Sequence, residues 1–213
     1  MTYTEFISKQ LAEYNVGQPI YTRDISKKLA STYEMPPKEA SAAVAVVFKR
    51  VMSNTVFPNL RFYQNGIYYF TAVTPFGEIG INKEQLIADK YLLPNEGYET
   101  GFTVLHRIGL TAQLPKGRCI ATNRATGSVR MDKRLNVLIR PSKARVTESN
   151  KLYLQFLDVL DIMENAPVDA ERPYELLGKY AKQIGLKYEY LLALSDRYYT
   201  KKPLLSSPTR QVK

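Results

Sequence analysis

The chain has 213 residues, a net charge of +10, one cysteine and one histidine; 45% of its residues are hydrophobic and 23% charged. That suffices to bury a core without staples, and it excludes an internal disulfide and any window apolar enough to span a bilayer. The N-terminus lacks a basic region followed by an apolar core, so no secretory leader is expected, and the lone Cys119 fits a reducing cytoplasm.

Residues 3–14 read as a helix, with Phe6, Ile7, Leu11 and Tyr14 at helical spacing and Asn15-Val16-Gly17 as its stop. Thr22 is the expected N-cap of a second helix over 23–33, with Ile25 and Leu29 inward. Pro36-Pro37 opens a third helix, since proline is tolerated in a first turn. Along it Ala40, Val44, Val47, Phe48 and Val51 make the core stripe, while Lys38, Ser41, Ala42, Ala45 and Lys49 lie on the other face. Asn65-Gly66 between two aromatic-rich runs predicts a tight hairpin in which both turn positions take positive φ. Three helices and a hairpin within 72 residues are the layout of a winged helix-turn-helix.

Thr74-Pro75-Phe76-Gly77 marks a junction, and Gly77 and Gly80 read as turn residues. Helices are expected near 82–92 and 98–108, short strands within 117–140 (clearest at 118–121 and 135–139), and three helices near 147–164, 171–184 and 187–199. The expected fold class is therefore α+β. A winged helix-turn-helix occupies 1–72, a mixed, mainly helical domain with a small β-sheet 73–199, and a basic, disordered tail 200–213.

Charge is unevenly spread. Segment 1–72 carries +3, 73–115 carries −2, 116–145 carries +8, 146–199 carries −3 and 200–213 carries +4. A clustered basic block is an electrostatic footprint for an anionic partner, nucleic acid first; a solvated face is the plainer alternative. On the third helix Ser41, Ala42 and Ala45 are small enough to enter a major groove, with Lys38 and Lys49 placed for phosphates. Arg23, Lys27 and Lys28 on the second helix suit the DNA backbone, and Arg61 and Tyr63 a neighbouring groove. From the basic block, Arg118, Arg124, Arg130, Lys133 and Arg134 are the candidate phosphate contacts. The alternative is a fold used for protein contact, its alanines serving helix propensity.

The residues offer little for catalysis. His106, the only histidine, falls in the 98–108 helix, where Phe102 and Leu105 supply the apolar face, and Cys119 stands 13 positions away in an apolar run that suits a buried structural thiol. Glycine-rich phosphate loops are missing. Asp158 and Asp161 lie three apart on one helix and read as a solvated face rather than paired acids. Tyr188, Tyr190, Tyr198 and Tyr199 read as exposed interface anchors. No enzyme activity, cofactor or metal is expected.

The stretch Gly97-Tyr98-Glu99-Thr100-Gly101-Phe102-Thr103-Val104-Leu105-His106-Arg107-Ile108 leads into Gly109-Leu110-Thr111-Ala112-Gln113-Leu114-Pro115, then Ile120-Ala121-Thr122-Asn123. With the preceding N-terminal layout it resembles the AbiEi-type antitoxin family of type IV toxin–antitoxin systems, over residues 5 to about 199. The resemblance implies a winged helix that binds and represses the operon's own promoter at inverted repeats. It also implies a C-terminal domain that counters a co-encoded nucleotidyltransferase toxin, as in phage defence, and a basic face across both domains. The segment 54–60 departs from the family in lacking a basic ending. Two other readings are open: a stand-alone regulator without a toxin, and an RNA-binding protein using block 116–145.

Overall fold

A computed structural model describes residues 2–53 and 56–199; the expected tail over 200–213 lies outside the described residues. The fold is α+β, and the chain divides into two compact units, 1–86 and 87–213.

The first unit is built on three helices, α1 (Tyr3–Leu11), α2 (Thr22–Tyr33) and α3 (Pro37–Ser53). Thr2 caps α1 by a reciprocal box: its hydroxyl accepts from Glu5 N at 3.2 Å, and its own N–H donates to the Glu5 carboxylate at 2.8 Å. Ile7 and Leu11 of α1, Ile25 and Leu29 of α2, and Ala40, Val44, Val47, Phe48 and Val51 of α3 form one buried core. The five α3 residues are those its apolar period specifies. Glu34 ends α2 in the left-handed region, at φ 50°, and turns the chain into α3.

A three-stranded antiparallel sheet covers this core: β2 (Leu60–Gln64), β3 (Ile67–Phe70) and a two-residue strand β1 (Ile20–Tyr21), in the order β1-β3-β2. Tyr68 of β3 meets Phe48 at 4.6 Å between ring centroids. The Asn65-Gly66 turn forms where expected, but of the pair Gly66 takes the positive φ, at 76°. A register slip between Phe62 and Gln64 supplies the twist that two left-handed residues would otherwise give. Thr22 is inside α2 rather than its cap; its hydroxyl lies 3.4 Å from Gly66 O, tying helix to hairpin. A small hairpin, β4 (Val73–Thr74) with β5 (Gly77–Glu78), belongs to this unit, so its compact body extends to 86.

The expected helix over 82–92 is a short α4 (Lys83–Ile87) that widens into one π-helical turn at Ala88–Leu92. The second unit then forms a four-stranded sheet: β6 (Gly97–Thr100), β7 (Arg118–Thr122), β8 (Arg130–Asp132) and β9 (Val137–Pro141), in the order β6-β7-β9-β8. β7 and β9 are parallel; the other pairings are antiparallel. Helices α5 (Phe102–Ile108), α6 (Lys151–Met163), α7 (Pro173–Gln183) and α8 (Tyr188–Tyr198) complete it.

The single helix expected over 98–108 is thus corrected to strand β6 followed by α5. Residues 97–100 pair along β7, and Gly101, at φ 77°, breaks the chain between strand and helix. Phe102 is 40% exposed; Val104 and Leu105 form the buried face of α5. The helix near 147–164 starts only at Lys151, because Asn150 accepts from Thr147 N and donates to Arg145 O, holding a turn ahead of it.

Gly97 fixes the seat of β6. A Cβ there would stand 2.4 Å from Tyr91 O and 2.6 Å from Ala121 O, both backbone atoms that cannot swing away. Gly97→Ala is therefore expected to destabilise the second unit by about 3 kcal/mol through overpacking. Urea titration followed by far-UV circular dichroism measures this, and a loss under about 1 kcal/mol would show that strand and π turn separate easily.

Candidate functional site

Three places hold chemistry-bearing side chains. On α3, burial of one face leaves Lys38, Ser41, Ala42, Ala45, Lys49 and Arg50 exposed on the other. From Lys38 to Lys49 this face runs about 16 Å at 1.5 Å per residue, with a lysine near each end, Ser41, Ala42 and Ala45 along its middle, and Glu39 and the 49% exposed Val46 on its flank. Lys27 and Lys28 are exposed on α2, and the Lys28 ammonium donates to Gln10 Oε1 at 2.7 Å. Arg23 lies 3.5 Å from Asp24 and over the Tyr21 ring at 4.9 Å. The hairpin contributes less than its sequence suggests. Arg61 donates to Pro58 O at 2.7 Å and pairs with Glu78 at 3.2 Å, and Tyr63 is half-buried at the bulge.

The basic block 116–145 is dispersed. Arg118 is engaged by Glu99, which Arg107 also meets at 2.7 Å. Burial works to raise the Glu99 carboxyl, but the hydrogen bond and charge of Arg118, joined by Arg107, outweigh it and hold it below the usual carboxylate range. Arg124 is exposed and donates to Lys90 O at 2.9 Å, at the end of the π turn. Arg130 is exposed on edge strand β8, and Lys133 and Arg134 are exposed in the turn between β8 and β9. That turn lies at the amino end of β9, whereas Arg124, Lys143 and Arg145 follow the carboxyl ends of β7 and β9. One stripe of sequence thus becomes two groups at opposite ends of the sheet, with Arg130 between them opposite Ile139.

The third place is a buried polar cluster between the sheet and α6. The strand register puts Tyr98, Ala121 and Arg140 in one row and Thr100 beside Cys119 in the next. Across the small Ala121 the Arg140 guanidinium reaches Asp158 of α6, which is fully buried. The Asp158 carboxylate also accepts from the Thr100 hydroxyl at 3.0 Å and from the Tyr199 hydroxyl at 2.9 Å. The Ser142 hydroxyl lies 3.4 Å from that of Tyr98. Burial, then the Asp158 charge, push the Tyr98 and Tyr199 hydroxyls far above the ordinary tyrosine range. Burial likewise raises the half-buried Cys119 thiol, against a smaller opposing pull from Arg140. These groups keep Tyr98, Tyr199 and Cys119 protonated at neutral pH, so the cluster holds a charge in place and presents no activated nucleophile.

Two sequence readings are corrected here. Asp158 is not on a solvated face; only Asp161, 2.8 Å from Lys143, is partly exposed. Tyr199 is 5% exposed and belongs to the core, while Tyr188 and Tyr190 are 50% and 40% exposed. The signal for Asp158 was its phase: it follows Leu154 by four residues, on the stripe that α6 buries. His106 is exposed on α5. Among the described residues no group of three or more His, Cys, Asp or Glu is arranged to hold a metal, and no helix is long and apolar enough to cross a membrane.

Compared with models of protein families the chain matches none, and no curated protein matches it either.

Asp158→Ala is expected to cost about 3–5 kcal/mol, because it strands the Arg140 charge in the interior. Replacing both, Arg140→Met with Asp158→Leu, should cost much less than the two single changes together. Denaturant titration of the four proteins decides; additive losses would mean that the pair is not coupled. Glu99 gives a pH test. Its folded pKa is depressed, so its stabilisation is present above the unfolded value of about 4.3 and lost as pH falls through the folded value. Glu99→Gln should flatten the stability profile below about pH 4.3. An acid limb identical to that of the parent would exclude the ion pair as its source.

Proposed function

We propose that the chain is a DNA-binding transcriptional autorepressor and antitoxin, whose first unit is a winged helix-turn-helix that lays α3 in the major groove. The observation that carries this reading is the exposed face of α3. A helix on the surface of a small unit ordinarily shows long charged side chains to water, whereas here Ser41, Ala42 and Ala45 leave its middle shallow between Lys38 and Lys49. A serine hydroxyl can bond a base edge, an alanine methyl can meet a thymine methyl, and terminal lysines can hold phosphates. Lys27 and Lys28, exposed on the preceding helix, suit the backbone that such a helix crosses.

The hairpin fits a lesser role. With Arg61 paired to Glu78, its most exposed large side chain is Phe62, at 53%. From the second unit, Arg130, Lys133 and Arg134 are the block residues best placed for an anionic partner, while Arg118 and Arg124 serve the fold. The antitoxin part of the reading rests on the resemblance over 97–123, and exposed Tyr188 and Tyr190 on α8 offer aromatic anchors to a toxin.

Ser41→Glu in the full chain tests both halves. Ser41 is exposed, so the fold should survive, but a carboxylate in the groove should weaken promoter binding at least 100-fold in a gel shift. Toxin suppression in cells carrying the neighbouring gene, with expression driven from an unrelated promoter, should persist. Undiminished promoter binding would remove α3 as the recognition helix; death of those cells, with the variant folded and expressed, would reject a separate antitoxin unit.

A further inference from the structure

The carboxyl ends of the parallel strands β7 and β9 open into a cleft of about 530 Å³ in the second unit. Neighbouring parallel strands whose chains leave in different directions commonly form ligand crevices at this edge, and the volume suits a small molecule. After β7 the chain passes over β9 to reach β8, while after β9 it runs through 142–150 towards α6. Asn123 joins the two exits: its side chain donates to Val146 O at 3.0 Å and accepts from Val146 N at 2.7 Å. That clamp fixes the turn bearing Ser142, Lys143 and Arg145 along one wall, with Glu96 and Tyr198 also lining the cleft.

The wall is cationic. Arg145 is exposed, and its guanidinium makes no ion pair or hydrogen bond among the described residues. Lys143 is held over the Tyr199 ring at 4.0 Å and 2.8 Å from Asp161, an arrangement that positions its ammonium while Asp161 offsets part of its charge. Among the residues lining the cleft, the two cations Lys143 and Arg145 stand against the single carboxylate of Glu96. A guanidinium beside an ammonium and a serine hydroxyl is a donor set for phosphate oxygens, and a carboxylate with an aromatic ring beyond it suits a hydroxylated, ring-bearing remainder.

We propose that this cleft binds the phosphate group of a small molecule of nucleotide size, with Arg145 and Lys143 on the phosphate. The site is independent of the DNA-binding reading, since every residue in it belongs to the second unit.

The test is isothermal titration of the full chain with adenosine monophosphate, inorganic phosphate and adenosine, in a buffer without phosphate. Saturable binding of the monophosphate, at least 10-fold tighter than adenosine, is expected. Inorganic phosphate binding as tightly as the monophosphate would assign the site to free phosphate; weaker binding would assign it to the nucleotide, and both results support the phosphate site. Arg145→Glu should abolish binding and Lys143→Ala should weaken it at least 10-fold, while Lys179→Ala, exposed on α7 and outside the cleft lining, should leave it unchanged. Circular dichroism checks that each variant folds. No saturation with either phosphate compound at millimolar concentration overturns the proposal, as does binding retained in folded Arg145→Glu.

Discussion

Asp158 has no access to water, and the second unit is arranged around satisfying its charge. The Arg140 guanidinium comes from the central strand pair, the Thr100 hydroxyl from β6 and the Tyr199 hydroxyl from the end of α8, so three separate parts of the chain converge on one carboxylate. Removing a carboxylate from water carries a penalty of several kcal/mol, offset only when charge and hydrogen bonds are supplied together. The pair therefore selects more than it stabilises. A sheet shifted by one register step would turn Arg140 to the opposite face and leave Asp158 buried without its cation.

The first unit follows a simpler rule, in which the phase of one helix separates a buried face from an exposed one. The apolar stripe of α3 closes against α1, α2 and Tyr68, while the opposite stripe contributes nothing to that core. A face free of packing duties can vary without cost to the fold. The hairpin is more constrained, because Arg61 bridges to Glu78 and the bulge half-buries Tyr63.

Positive charge in the second unit has been divided between structure and surface. Arg118 balances Glu99, and Arg124 closes the carbonyl end of the π turn, both roles met inside the protein. Exposed on the surface are Lys133 and Arg134 at the amino end of β9, Arg130 midway along it opposite Ile139, and Lys143 and Arg145 beyond its carboxyl end. Parallel pairing of β7 with β9 causes the spread, since the chain must return from the carboxyl end of β7 to the amino end of β9 and so distributes its basic residues along the sheet.

The sequence by itself determined the elements whose signal is local. The five buried residues of α3 are those its period specifies, and Asn65-Gly66 marks its hairpin because a left-handed residue is needed there. The strand expected at 118–121 and the three last helices are likewise legible from run length and period, while the one expected at 135–139 lies two residues later, at Val137–Pro141, because Leu135 and Asn136 complete the turn from β8. Only the tertiary structure decided the rest. Residues 98–100 read as helix because their neighbours do, yet pairing with β7 and the close approach at Gly97 make them a strand. Asp158 reads as solvated because charge usually is; its burial depends on an arginine 18 positions away that reaches it only when β9 and α6 are packed together. The basic block reads as one patch because charge along a chain says nothing of which residues the sheet will turn inward or carry to its far end.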